Sequence, residues 1–443
     1  MSRLNNAAIT KLQAIIIIVV IIIIAAVAGI VYQLFFYRPP VGVGLPPRDK
    51  VVVGIVQSLS GALSPQVTMY HPYYKWVIED YNAKGGLYVP EYGRRFPITY
   101  IEYDDETDIH KMLTLTEKLI TVDKVDLLFA PCSTGFVYAA SSLYEKYRYP
   151  VIALTYGSQA GAEKCRKGEL KYLFQTLASP SEVGVEVREL LEYIRGKYGA
   201  DAVGNVGIIY HLEQHGVEHA SAIFGELALV GFNIVLYESY PFMTTEFKPL
   251  ISKLIERKVD TLIICGYEAM FFVREAKAMG YNPKIMIVGP SLEVPGMTFG
   301  PLGYTLDDVR GIIFYDGWPS ASYTENDVLK KWAEDHKVRA RAIFGNEYAY
   351  PFPAAALFYS GLQCLFEAVQ KVGLDREKIR DALVTEYFDT ILGKMKFRPG
   401  YAPETTLGGT LSQWQYRYMM DTIWPPEAKS AEVIYPKPSW PPS

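Results

Sequence analysis

Residues Lys50 to Gly61 (Lys-Val-Val-Val-Gly-Ile-Val-Gln-Ser-Leu-Ser-Gly) constrain the fold more than any other stretch. A continuous apolar run that breaks into a Ser/Gly loop reads as a strand buried on both faces, because a half-exposed strand alternates apolar with polar residues. The loop at the carboxyl end of such a strand is where open α/β sheets bind their ligands. The strand–loop–helix unit recurs downstream, so the loops are expected to converge on one cleft.

The following segment, Gln66 to Ala83, carries Met69, Tyr73, Trp76, Val77 and Tyr81 near a helical period and stops at Lys84-Gly85-Gly86. A hairpin-like insertion (Leu87 to Arg95) precedes a strand at Pro97 to Tyr103. Asp108 then caps a helix over Ile109 to Val122. Strands at Lys124 to Pro131 and Pro150 to Leu154 flank a helix at Phe136 to Arg148, giving β-α-β-α-β-α-β and therefore a parallel sheet. A second run begins near Pro180. Its strands are Val206 to Tyr210, Phe232 to Glu238, Asp260 to Gly266 and Lys284 to Val288; its helices are Gly216 to Val230, Glu246 to Arg257 and Ala269 to Met279. Gly311 to Tyr315 reads as a strand returning toward the first lobe, Pro353 to Val372 as an amphipathic helix, and the tail from Gly409 as strand-like and aromatic.

The amino end has a different character. Arg3 and Lys11 precede Ala14 to Phe36, an apolar stretch of about 23 residues, long enough for one transmembrane helix. The basic residues before it place the amino end in the cytoplasm and the body outside. Ala26-Val27-Ala28 before Gly29 offers an alternative, a signal-peptidase site. No cysteine follows the apolar run, which excludes lipid attachment there. Residues 38–49 form a Pro/Gly spacer.

The formal net charge of -4, with no long basic run, argues against nucleic acid as a partner. Neither G-x-G-x-x-G nor G-x-x-x-x-G-K-[ST] follows any strand, which removes dinucleotide and P-loop functions. The 34 tyrosines suit either the stacking walls of a cleft or ordinary packing. Cys132, Cys165, Cys265 and Cys364 lack metal-ligand spacing; a Cys132–Cys165 bridge and two free thiols are both compatible with their positions. His215-Gly216-Val217-Glu218-His219 matches the H-x-x-E-H string of zinc peptidases. With Gly216 opening the helix, however, His215 is expected before the first turn and His219 on an exposed face, so no metal, catalytic residue or cofactor is assigned.

Ser133-Thr134-Gly135 lies between a buried strand and a helix, where a hydroxyl caps the helix and free N–H groups suit a carboxylate. Thr155-Tyr156-Gly157-Ser158 follows the next strand in the same way. The matching strand ends of the second run carry His215, Tyr267 and Pro290-Ser291-Leu292-Glu293, with Glu293 placed to meet a ligand ammonium.

These residues together resemble a known family. Val53-Gly54-Ile55-Val56 with Leu59-Ser60-Gly61, then Ile78 to Gly86, Ile101 to Asp108, Pro131-Cys132-Ser133-Thr134-Gly135 and Tyr149-Pro150-Val151-Ile152 are similar to the type I periplasmic binding proteins, specifically the leucine/isoleucine/valine-binding group of ABC transporters. Thr245-Glu246-Phe247, Asp260 to Gly266 and Ala276 to Gly280 extend the likeness, which runs from about Lys50 to Pro438. The resemblance implies an α/β fold of two Rossmann-like doubly wound lobes joined by a three-strand hinge. Residues 50–178 and 316–400 would form one lobe, and 179–315 with 401–443 the other. It implies Ser133 on a ligand carboxylate and Gly157 with Ser158 on the head group. Gln66, His215 and Tyr267 fall where the family often sets aromatic side chains. The family's acidic partner for the ammonium aligns with Ser291, with Glu293 two places on, an arrangement under which relatives take amides, urea-like compounds, short peptides or aromatic acids. Tyr156 and Tyr267 are expected to add apolar contact. The function implied is a non-enzymatic, membrane-tethered, extracytoplasmic solute-binding subunit of an ABC importer, with its permease as partner. A ligand-sensing receptor ectodomain is the alternative, and a zinc hydrolase the remaining one.

Overall fold

β1 (Val51–Gln57) is buried along nearly its whole length, as its apolar run requires. It is the middle strand of a three-stranded parallel sheet in the order β4-β1-β5, where β4 is Ile98–Asp104 and β5 is Leu127–Leu128. The register pairs Val51 with Ile98 and Val53 with Leu127. Gly54 is the strand's one residue without a side chain, and a Cβ there would sit 2.9 Å from Leu128 and 3.0 Å from Leu119. The computed structural model described here covers residues 45–317, 326–404 and 410–440. The apolar stretch at 14–36 lies outside the described residues, among which no helix is long and apolar enough to cross a membrane.

Helix α1 (Ser64–Ala83) packs its buried stripe of Val67, Tyr70, Tyr74, Val77 and Tyr81 over the first sheet, with Pro72 inside the helix. The hairpin insertion is present as β2 (Leu87–Val89) against β3 (Arg94–Phe96). Asp108 accepts the N–H groups of His110 and Lys111 and so caps α2 (Ile109–Thr121), as its position predicts. α3 (Thr134–Tyr147) follows β5. The expected single four-stranded sheet is not formed: β6 (Val151–Ala153) pairs with β7 (Leu173–Gln175), and the intervening chain forms α4 (Gln159–Arg166). β5 ends early because the Ala130 carbonyl is claimed by side chains. It accepts from Gln57 Nε2 at 2.6 Å and from the Tyr74 hydroxyl at 2.9 Å.

At Pro180 the chain enters α5 (Pro180–Tyr198), where the Glu182 carboxylate accepts the Ser179 N–H at 2.8 Å. The second sheet has seven strands in the order β16-β15-β12-β11-β10-β8-β9. Its parallel part comprises β8 (Asn205–His211), β9 (Asn233–Tyr240), β10 (Thr261–Cys265), β11 (Ile285–Val288) and β12 (Ile312–Gly317). Helices α6 (Gln214–Leu229), α7 (Lys248–Glu256) and α8 (Ala269–Ala278) connect them. The aromatic tail supplies β15 (Thr410–Gln413) antiparallel to β12, and β16 (Asp421–Trp424) antiparallel to β15.

Between these, α9 (Asp327–Phe344), α10 (Ala355–Val372) and α11 (Arg376–Thr385) rejoin the core of α1 and β1, and the small hairpin β13 (Phe388–Thr390) and β14 (Gly393–Met395) closes that layer. α10 buries Leu357, Phe358, Leu362, Leu365, Phe366 and Val369, a face wide enough to make it central rather than peripheral. All four cysteines are free and buried, so the Cys132–Cys165 bridge does not form; Cys132 packs in the core of α1 and Cys165 in the separate core beneath α3.

Candidate ligand cleft

The ends of β5, β6, β8, β10 and β11 point toward one cavity lying between the two sheets. From the first sheet's side come Gln66, Met69 and Tyr70 on α1, Cys132 and Ser133 after β5, and Thr155 after β6. From the second come His215, Tyr267 and Glu293. Leu177 after β7, Phe314 and Tyr315 on β12 and Ser412 on β15 complete it, with Phe352 just before α10 and Phe358 in its first turn. The walls are therefore largely apolar and aromatic, with a few polar groups, the usual make-up of a small-molecule site.

Ser133 is the most constrained residue of the lining. Its backbone lies at φ 68°, ψ 155°, a conformation that few residues other than glycine adopt. Its Oγ accepts the Phe136 N–H at 3.4 Å and caps α3, while its own N–H donates to Thr155 Oγ1 at 3.3 Å. The Gly135 N–H donates to Glu213 Oε1 at 2.7 Å, a contact that crosses from one sheet's layer to the other's. Glu213 Oε2 accepts the His215 N–H at 2.7 Å and caps α6. The helix therefore starts at Gln214, two residues earlier than Gly216 suggests, and His215 lies within it.

His215 and His219 consequently share a helix face, their rings 4.0 Å apart, and both are buried. His219 is thus not exposed as expected. Its Nδ1 lies 2.8 Å from the His215 carbonyl oxygen. Burial, then the neighbouring His219 and His211, hold His215 well below the ordinary imidazole range, so it is neutral. Glu218, the third member of the string, turns away and accepts the Gln159 N–H at 2.6 Å. Among the described residues, no group of three or more His, Cys, Asp or Glu side chains is placed to hold a metal ion.

Among the described lining residues Glu293 is the one carboxylate. Its Oε2 accepts the Ser291 N–H at 2.5 Å, yet burial outweighs that bond and lifts the carboxyl to about 7. Tyr267 lies against both His215 and His211, with ring centroids 5.2 Å and 4.7 Å away. Behind Tyr267, the fully buried Glu268 takes His211 Nδ1 at 3.2 Å, the Tyr240 hydroxyl at 3.1 Å and the Met243 N–H at 2.7 Å.

Of the residues singled out from sequence, Gln66, Ser133, His215, Tyr267 and Glu293 meet at the cavity. The other five lie outside its lining. Thr134 is buried and its Oγ1 accepts the Gly157 N–H at 3.4 Å. Tyr156 is fully buried in the core beneath α3, because Thr155 takes the cavity-facing position and the next side chain points the opposite way. Gly157 backs onto the Ala178 carbonyl and His219. Ser158 caps α4 through the Gly161 N–H at 3.0 Å and accepts Gln214 Nε2 at 2.9 Å. Ser291 accepts the Met270 N–H at 3.1 Å, at the start of α8. Met69 and Tyr70 were missed although they follow Gln66 at i+3 and i+4 on one helical face. Phe352, Phe358 and Ser412 arrive from distant chain and carry no local signal.

Residues 50–408 match the profile of the family described as periplasmic binding protein. The chain is 22% identical over 377 residues to Leu/Ile/Val-binding protein homolog 7 of Brucella abortus (strain 2308), covering 81% of this chain and 88% of that one. Among solved structures it is similar to the branched-chain amino acid transporter substrate binding protein LivJ from Streptococcus pneumoniae in complex with isoleucine, at TM-score 0.67 and 20% identity over 88% of this chain and 100% of the other. It is likewise similar to an ABC transporter solute binding protein from R. palustris in complex with benzoate, at TM-score 0.66 and 18% identity over 88% and 97% of the two chains. At these identities the structures carry the fold, α/β with two sheet layers about a central cleft, and the profile carries the family. The chain belongs to the type I periplasmic binding proteins, the Leu/Ile/Val-binding family of non-enzymatic solute-binding proteins.

Proposed function

We propose that this protein is the extracytoplasmic solute-binding subunit of an ABC importer, and that it captures a small solute with an apolar body, an amino acid or a related amine or amide, between two closing lobes. The observation that carries the reading is the cavity itself, where aromatic walls from both sheets surround one half-buried carboxylate, Glu293. The names of its relatives, Leu/Ile/Val-binding among them, support an amino-acid-sized solute. Residues 50–178 with 316–400 are taken as one lobe and 179–315 with 401–443 as the other, rotating about crossovers near Ser179–Pro180 and Phe314–Tyr315. The apolar stretch at 14–36 would tether the body to the membrane.

Site assignment follows the cavity. Tyr70, Tyr267, Phe314 and Phe358 hold the apolar body, Gln66 and Ser133 offer polar contacts, and Glu293 takes an amine. The test is a thermal-shift screen of residues 49–443, a compact unit, against amino acids, amides, amines and aromatic acids. A solute that binds the folded state raises the melting temperature by mass action. A saturable hit whose shift is lost in Tyr267→Ala supports the reading, and a hit indifferent to every lining substitution refutes it.

A further inference from the structure

The loop after β5 was expected to receive a solute carboxylate, but three of its donors are already engaged within the protein. The Ser133 N–H goes to Thr155, the Gly135 N–H to Glu213 at 2.7 Å and the Phe136 N–H to Ser133 Oγ. The remaining one, that of Thr134, lies near the Tyr267 hydroxyl. Glu213 thus sits as a built-in anion at the start of α3, and Gly135 has no side chain to push it away: a Cβ there would lie 2.7 Å from Glu213 Oε1.

Among the cavity's described lining residues the charge has one sign. No lysine or arginine is among its described lining residues, and Glu293 faces it directly. Behind the wall stand Asp105 next to Tyr70 and Cys132, Glu213 next to Cys132 and Tyr267, and Glu268 next to Tyr267. One oxygen of the buried Asp105 carboxyl has no hydrogen-bond partner. A free carboxylate brought into this space would find no lysine or arginine among the described lining residues, the Gly135 N–H at α3 already held by Glu213, and like-charged groups nearby. An ammonium group would find Glu293 and a favourable field.

We propose that the cleft selects a hydrophobic amine without a carboxylate, and that Glu213 is the residue that excludes the carboxylate. This rests on the solute-binding reading above and narrows its substrate class. Specificity here comes from a repulsive element, an anion of the protein's own occupying the place of the solute's.

The experiment is isothermal titration of the full chain at pH 8 with matched sets: 3-methylbutylamine, leucine and 3-methylbutanoate, then 2-phenylethylamine, phenylalanine and 3-phenylpropanoate. The expected result is that one amine binds at least about tenfold more tightly than its amino acid, the size of one charge-assisted contact, and that both acids fail to bind. Glu213→Ser keeps an oxygen to cap α6 but cannot reach Gly135, and it should bring the amino acid to within a few-fold of the amine. Glu213→Gln, which keeps the shape and loses the charge, serves if the serine variant does not fold, with the same direction expected. A wild-type chain that binds the amino acid as tightly as the amine overturns this inference and leaves the solute-binding reading intact. Binding of no member of either set overturns both.

Discussion

The pH dependence of solute affinity follows from Glu293. Its carboxyl is lifted to about 7, mainly by burial and only partly countered by the Ser291 N–H. An ammonium-bearing solute binds the ionised carboxylate, so the apparent dissociation constant rises by the factor 1 + 10^(pKa − pH). That factor is about 1.1 at pH 8, about 2 at pH 7 and about 100 at pH 5, the last equivalent to roughly 2.7 kcal/mol. A simple alkylamine stays protonated across this range, and His215 stays neutral, so neither distorts the profile. The sign for the unliganded protein is the opposite. The unfolded chain ionises near 4.5 while the folded one holds its proton to about 7. Glu293 therefore contributes stability that is complete below about 4.5 and is lost as the pH rises through about 7. The solute-induced rise in melting temperature should therefore grow from pH 5 to pH 8. Calorimetric titration at half-unit steps, with Glu293→Gln alongside, measures the curve directly. The variant should be flat and weak throughout. A wild-type affinity for an amine that is constant between pH 5 and pH 8 refutes the assignment of Glu293 as its partner.

Three further outcomes follow from particular contacts. Glu218→Ala removes the 2.6 Å bond to the Gln159 N–H across the cleft, which should cost the closed form about 1.5–3 kcal/mol and enlarge the radius of gyration of the unliganded protein in solution scattering; an unchanged radius counts against it. Gly216→Ala would set a Cβ 2.2 Å from the His211 ring and 2.5 Å from its carbonyl oxygen, so a loss of at least about 1–3 kcal/mol is expected in denaturant unfolding, and wild-type stability would refute the packing. Ser133→Gly relieves a backbone strain of order 1–3 kcal/mol while giving up a long capping bond, whereas Ser133→Ala gives up the bond and keeps the strain. The glycine variant should accordingly melt higher than the alanine one, and the reverse order would show that Ser133 is not strained.

Much of the scaffold was legible because local signals and burial agree. β1 reads as doubly buried and is; Asp108 reads as a cap and is. Where the reading failed, an unusual residue did an ordinary job. Glutamate is a rare helix cap, so Glu213 was passed over and α6 was started too late, which put His215 outside the helix and His219 on the surface. α5 was missed although Ser179-Pro180-Ser181-Glu182 carries both a capping-box pattern and proline at the first helical position. In the cleft, Tyr156 was expected to add apolar contact, but Thr155 faces the cavity instead, since one step along an extended chain reverses the side chain. Neither Phe352 nor Ser412 shares a local pattern with Ser133, and only the tertiary fold makes them neighbours.

The first turns of α6 reach across the cleft three times, Glu213 to Gly135, Gln214 to Ser158 and Glu218 to Gln159. None of these contacts involves a solute, so each favours the closed arrangement whether or not the cleft is filled. On the two-lobe reading proposed above, capture waits for these contacts to part. The observed association rate should therefore level off at high solute concentration, at the opening frequency, instead of rising without limit. The same contacts lengthen the residence time of whatever is inside, so tight retention and slow loading have one structural origin.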